Sequence, residues 1–344
     1  MKKGNLIIVI IVIVLGAVAA YFYFNNSNTT LKDEFRNFAV KDTANITKIF
    51  IADAKGNKVT LYKKEKGWLV DDKFKARKDA VNLILETFYK IDIKSPVPKN
   101  LEPNVIKYLA TAATKVEIYL NNSDKPHKVY YIGNVTQDRM GTNMLLEIDG
   151  RKSDKPYVTH IPGFYGFLTT RFFAEPELWR DPSIFSNNDK NIQSIELTYP
   201  QYPEQSFSIE KTENGFVLYD NNHQPVETDS LNIIEYLNRY ANVNFEKLDI
   251  ETDPAIKDSV LLTEPVFIIK LTDINNQTKE VKGFNMPNFR KLTDHDGKPF
   301  PHDIDRLYGL IDGKDFAIIQ YYTFDPLTIP LEAFKTNEAT ENNQ

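Results

Sequence analysis

The densest set of side chains able to do chemistry lies in one short stretch, Asp294-His295-Asp296-Gly297 followed by His302, Asp303 and Asp305. Imidazoles and carboxylates are the donor types that hold a divalent metal, so His295, Asp296, His302 and Asp303 are the candidate ligands. The stretch departs from a calcium-loop pattern, because Lys298, Pro299 and Phe300 stand where oxygen donors should continue. A solvated turn built on Asp-Gly and Lys-Pro accounts for the same residues and is the favoured reading. His127, His160 and His223 are scattered, with no Ser or Asp spaced around them as a triad. The chain has no G-x-S-x-G, H-E-x-x-H, G-x-G-x-x-G or phosphate-loop motif, and any pair of acids chosen for glycoside hydrolysis is arbitrary. It contains no cysteine, which excludes disulfides, thiolate catalysis and thiolate metal sites. No catalytic residue and no cofactor is assigned.

Aromatic side chains offer a second kind of chemistry. Trp68 and Trp179, with Phe164-Tyr165 and Tyr321-Tyr322, are candidates for a sugar- or peptide-binding platform or a partner surface. Buried packing is the competing and favoured account, since adjacent strand residues point to opposite faces and one of each pair then enters the core.

What must position these groups follows from composition. With 344 residues the chain has room for two ordinary domains. Its aromatic content of 12% favours strands over an all-helical bundle. The 42 basic and 47 acidic residues nearly balance, and no long basic run follows residue 3. Nucleic acid is thereby excluded as a partner, as is peripheral binding to an anionic lipid surface, because both need clustered Lys and Arg.

Leu6 to Phe24 is an uncharged run rich in Ile, Val and Leu, of the length a helix needs to cross a bilayer. Lys2 and Lys3 precede it and Tyr21 to Phe24 close it as an interfacial aromatic belt, so the positive-inside bias puts residues 1–5 in the cytoplasm and the bulk outside. The rival is a cleaved signal peptide ending at Ala17, Ala19 or Ala20, but the apolar run outlasts a typical signal core. Residues 25–44 then read as a linker and 335–344 as a disordered tail.

The body reads as a duplication. Asn45-Ile46-Thr47-Lys48-Ile49 and Asn191-Ile192-Gln193-Ser194-Ile195 share N-I-x-x-I, and Gly67-Trp68-Leu69-Val70 is echoed by Gly215-Phe216-Val217-Leu218. Each copy then shows one amphipathic helix, through Val81, Ile84, Leu85 and Phe88 or through Ile233, Ile234, Leu237 and Tyr240, with Thr228 and Asp229 as caps of the second. Glu102-Pro103 and Asp253-Pro254 precede matching strands. Tyr157 to Pro176 matches Leu307 to Pro326, with Gly163 on Gly313 in the turns of apolar hairpins. The expected architecture is α+β: two tandem domains over 45–186 and 187–334, each an antiparallel meander with one principal helix, after the transmembrane helix.

Gly67-Trp68-Leu69-Val70, Ala76, Asp79 and Ala80 leading into the helix Val81 to Ile91, and Leu178-Trp179-Arg180-Asp181 after the first closing hairpin resemble a bacterial family catalogued as domain of unknown function 4340. The resemblance implies a membrane-anchored extracytoplasmic protein found beside auxiliary parts of ABC-type transport systems of the gliding-motility kind. That family brings no catalytic residue with it. Together these readings favour a non-catalytic, single-pass accessory or scaffolding protein of the bacterial inner membrane with an envelope or transporter protein as partner. A sugar- or peptide-binding module using the cleft between repeats is the alternative, and an envelope hydrolase the third.

Overall fold

The computed structural model describes residues 13–18 and 34–334. Residues 13–18 are helical; the rest of Leu6 to Phe24, and the tail expected over 335–344, lie outside the described residues. Among the described residues no helix is long and apolar enough to cross a membrane. The chain separates into two units, 1–181 and 182–344, each with its own buried core.

The first unit runs β1 (Ile46–Ala52), β2 (Lys58–Lys64), β3 (Gly67–Val70), β4 (Phe74–Lys75), helix α1 (Lys78–Lys90), β5 (Asp92–Pro96), helix α2 (Glu102–Ala112), β6 (Thr114–Leu120), β7 (Lys128–Val135), β8 (Thr142–Ile148), β9 (Arg151–Lys152), β10 (Tyr157–His160) and helix α3 (Pro176–Trp179). The second begins with β11 (Ser183–Phe185) and runs β12 (Ile192–Thr198), β13 (Phe207–Thr212), β14 (Gly215–Asp220), β15 (Pro225–Val226), α4 (Ser230–Asn238), β16 (Val243–Asn244), β17 (Lys247–Leu248), α5 (Pro254–Leu261), β18 (Phe267–Asp273), β19 (Thr278–Pro287), β20 (His302–Ile311), β21 (Asp315–Gln320) and α6 (Tyr321–Phe324). The main sheets are antiparallel and follow one path: β4-β3-β2-β1-β6-β7-β8-β10-β5 in the first unit and β15-β14-β13-β12-β18-β19-β20-β21-β17 in the second. The protein is thus a sheet-rich α+β chain in which one topology occurs twice.

The repetition extends to irregularities. Pairing of β1 with β6 slips between Ile46 and Lys48, and pairing of β12 with β18 slips between Ile192 and Ser194. Such a bulge resets the side-chain alternation. Ile46 and Ile49, three apart and therefore on opposite faces of a regular strand, are both fully buried, as are Ile192 and Ile195. The N-I-x-x-I pattern is the sequence trace of this bulge. The hairpin before each Gly-aromatic strand needs positive φ, supplied by Gly67 and Gly215, at 124° and 120°.

Helix α1 forms on the apolar spacing of Val81, Ile84 and Phe88, all buried. In α4, Ile233 and Leu237 are buried, and Asp229 caps the helix by accepting the Leu231 N–H at 2.9 Å.

Four expectations are corrected. Each unit has two substantial helices rather than one, because Glu102-Pro103 and Asp253-Pro254 start helices: Pro costs nothing at the first helical positions, where no N–H partner exists. Each sheet is more than a meander, since β5 and β17 return to the far edge beside β10 and β21. The ungapped match of Tyr157 to Pro176 with Leu307 to Pro326 is displaced: Val158 opposes Asn143 as Ile318 opposes Tyr308, so Tyr157 corresponds to Ala317 rather than Leu307. The counterpart of Asp312-Gly313 is Asp149-Gly150, with φ of 50° and 65° against 50° and 73°.

The fourth correction concerns residues 25–44. Their last part is a strap in the first core: Phe38 and Val40 are buried, Val40 N–H donates to the Phe88 carbonyl at 2.8 Å, and Lys128 Nζ donates to the Asn37 and Ala39 carbonyls at 2.6 and 2.7 Å. Tyr130 OH donates to the Phe38 carbonyl. Burial pushes the Lys128 ammonium down to about 8. The second unit repeats the strap: Ile184 and Phe185 are buried, Asn187 N–H donates to the Tyr240 carbonyl at 3.0 Å, and Lys279 Nζ donates to the Ile184 carbonyl at 2.7 Å. The structural repeat therefore opens before Asn45 in one unit and, in the other, at β11, ahead of the polar stretch Ser186 to Asn191.

Candidate functional site

The candidates singled out in the sequence do not converge. Among the described residues no group of three or more His, Asp or Glu has metal-site geometry. His295 and Asp296 are exposed and 3.3 Å apart. His302 is exposed at the start of β20, whereas Asp303 beside it is only 2% exposed. Its two oxygens are occupied by the Arg290 guanidinium at 2.8 and 2.7 Å, and Oδ1 also accepts from the N–H groups of Asp305 and Arg306. Asp303 is thus removed from the metal candidates: a fork-shaped cation already satisfies it. Burial would raise its pKa, but Arg290 and the two N–H groups outweigh burial and hold the carboxyl below the usual carboxylate range.

Asp303→Ala is expected to cost about 2 kcal/mol, as the two main-chain donors lose their acceptor. The sign with pH follows from the lowered value. Stability from Asp303 is present above about pH 4, the unfolded-chain value, and is lost as pH falls through the lower folded value. Urea midpoints across about pH 3 to 6 should show a flatter acid limb in Asp303→Asn; an unchanged limb would contradict the assignment.

Trp179 is also removed from the surface candidates. It is fully buried, stacked on Phe173 with centroids 4.2 Å apart, and its Nε1 donates to the Phe173 carbonyl at 3.0 Å. Trp68 is half-buried against the same core. Phe164-Tyr165 lies in a loop just after a turn rather than in a strand, so alternation does not operate; both are exposed, Tyr165 at 85%. Tyr321-Tyr322 sits on α6, with Tyr321 against the core and Tyr322 exposed. His127 is exposed, and partial desolvation of its ring beside the Lys128 charge holds its pKa below the ordinary imidazole value. His223 stacks on Tyr219 at 4.4 Å.

The structure instead builds a groove that no motif announced. In the first unit β5, the connection to α2, α2 itself, the end of β7 and β10 enclose about 680 Å³. Helix α2 lies close on β7 because position 133 is glycine: a Cβ there would stand 2.9 Å from both the Asn143 carbonyl oxygen and Leu109 Cδ2. Beneath the helix Val97, Val105, Leu109 and Val158 form a small separate core. Leu101 and Tyr108 remain exposed on the groove wall.

Polar groups sit among these walls. Asn143 is buried and donates from Nδ2 to Asn134 Oδ1 at 3.2 Å, an amide pair with capacity left for a ligand. Asp138 accepts from Thr136 Oγ1 at 2.6 Å and from the Met140 N–H at 3.0 Å, and lies 3.5 Å from Lys94 Nζ. The Thr136 hydrogen bond is the main reason its pKa is lowered, with Lys94 assisting. The single acid and base therefore offset one another and leave a groove suited to an uncharged, amphipathic occupant. The one signal in the sequence was the Glu102-Pro103 helix start, which fixes where α2 stands over the sheet.

A search of curated proteins returns no match. Residues 68–255, more than half of the chain, match the family described as "Domain of unknown function (DUF4340)". That stretch takes in most of β3, the three helices α1 to α3 of the first unit and the groove, together with the start of the second unit as far as the first residues of α5. The family assigns no chemistry to any of these residues, and the expectation raised by Gly67-Trp68-Leu69-Val70 is met: the chain belongs to the DUF4340 family.

Proposed function

We propose that the protein is a non-catalytic accessory protein, tethered in the bacterial inner membrane by Leu6 to Phe24 with its body outside the cytoplasm, that holds an uncharged extended segment of an envelope partner, such as a component of an ABC-type transport or gliding-motility-like system, in the groove of its first unit. The observation that carries this is the position of β5. It is the last strand of its sheet, its side chains are largely exposed, and its Lys94 and Ser95 line the groove opposite Leu101 and Tyr108. A strand laid beside an open sheet edge gains main-chain hydrogen bonds, and its alternate side chains enter the neighbouring pocket. Pro96, which lacks an N–H, bounds the stretch available for pairing.

The test places a photo-crosslinking amino acid at Leu101 of the full chain in its native membrane. The crosslinked peptide should map to one uncharged stretch of one envelope protein. A synthetic copy of that stretch should bind the purified protein, at least about tenfold more weakly when Tyr108→Asp puts a charge on the groove wall, a loss equivalent to about 1.4 kcal/mol. Crosslinks scattered over unrelated proteins or confined to lipid, with the fold intact, would refute the reading.

A further inference from the structure

The groove has a counterpart in the second unit, enclosed by β17, α5, the end of β19 and β21, with a volume of about 340 Å³. The register of the two sheets identifies equivalent positions. Ser95 opposes Val158 as Lys247 opposes Ile318. Two residues further on, Val97 in the first unit therefore corresponds to Asp249 in the second. Where Val97 joins the apolar cluster under α2, the matching cluster under α5 is Val260, Phe284, Tyr308 and Ile318, with a carboxylate in the valine's place.

That carboxylate is 4% exposed. Its Oδ1 accepts from the N–H groups of Glu251 and Thr252 at 3.2 and 3.0 Å, while its Oδ2, also buried, has no hydrogen-bond partner among the described residues. A buried carboxylate oxygen left unpaired is costly, and the sister unit shows that the same framework closes with valine instead. In natural proteins such uncompensated groups concentrate at functional or strained sites.

We infer that this cavity is a site for an organic cation, a protonated amine or a guanidinium carried on an apolar stem, with Asp249 as its counter-ion. The surrounding charges leave that role open. Lys247 Nζ is engaged by Glu251 at 2.8 Å, Asp253 caps α5 through the Ala255 N–H at 2.8 Å, and Lys257 Nζ donates to the main-chain carbonyl of Asp249 rather than to its carboxylate. The remaining wall is apolar, with Ile256, Met286, Phe289 and Ile318, and Phe289 is exposed for a cation to approach its ring. A hard metal ion seeks a converging cluster of oxygens, and although Asp249, Glu251 and Asp253 all border this cavity, no group of three such side chains among the described residues has metal-site geometry. An alkylammonium uses both halves of the site.

The test uses the full chain with n-butylammonium, n-butylguanidinium, neutral n-butanol, and calcium and magnesium chlorides, read by calorimetry and by the shift in Tm. Either organic cation should bind with a stoichiometry of one, and butanol should not. Asp249→Val, which copies the sister unit, should raise the Tm of the ligand-free protein and weaken cation binding at least tenfold; Asp249→Asn, which keeps the shape, should weaken it likewise. An acetylated and amidated GGKGG peptide separates the two sources of such a cation: binding tenfold tighter than butylammonium assigns a protein side chain, and equal binding assigns a free amine. Absence of saturable binding by either cation, binding that survives Asp249→Val, a lower Tm in Asp249→Val, or calcium or magnesium binding in place of the amines would each overturn the inference.

Discussion

Trp179→Ala is expected to destabilise the first unit by about 3–5 kcal/mol. Trp179 heads the fully buried side chains by volume, so its removal leaves a cavity that Phe173, its stacking partner, can fill only in part. The loss is also directional. Nε1 satisfies the Phe173 carbonyl, and the main-chain carbonyl of Trp179 accepts the Arg77 N–H at 2.8 Å, which fixes the residue from which α1 starts. Trp179→Phe keeps a ring but strands the Phe173 carbonyl, for an expected cost of about 1–2 kcal/mol. Because two units need not unfold together, native-state hydrogen exchange of the α1 amides is the appropriate measurement. A change below about 1 kcal/mol for Trp179→Ala would mean that the indole does not hold the core together.

The second large effect is expected at Phe38. A side chain in a tether should tolerate alanine within about 0.5 kcal/mol. Phe38 is 1% exposed and packs on Tyr130 and Tyr157 at centroid distances of 5.8 and 6.2 Å, so Phe38→Ala should cost about 3–5 kcal/mol. Faster exchange should appear in β7 and at the C-terminal end of α1, where Lys128, Tyr130 and the Phe88 carbonyl receive the strap. Retained protection in both places would return residues 34–44 to the status of a linker.

Much of the scaffold was legible because its physics is local. The N-I-x-x-I pattern, the Gly67 and Gly215 hairpins and the stripe of Val81, Ile84 and Phe88 each follow from constraints within a few residues, and each occurs twice. The strap was not legible, since it has no periodicity and its partners Phe88, Lys128 and Tyr130 lie far along the chain. Helix α2 was read past because only Val105 and Leu109 of its face are buried, too thin a stripe to register as amphipathic. Asp303 looked like a ligand because its neighbours in sequence are other donors, whereas its actual partner arrives from Arg290 on the preceding loop. Asp249 gave no signal at all, since only the equivalence with Val97 makes a buried acid there unexpected.

The repeated strap also bears on how the chain carries tension. A pull arriving from the N-terminal side meets the Lys128, Tyr130 and Phe88 attachments before it reaches β1. Tension passed onward from the first unit meets the Lys279 and Tyr240 attachments before it reaches β12. Each unit is latched at its own entrance, so a stretched molecule yields one latch at a time, at a rate set by the barrier to breaking that latch rather than by overall stability.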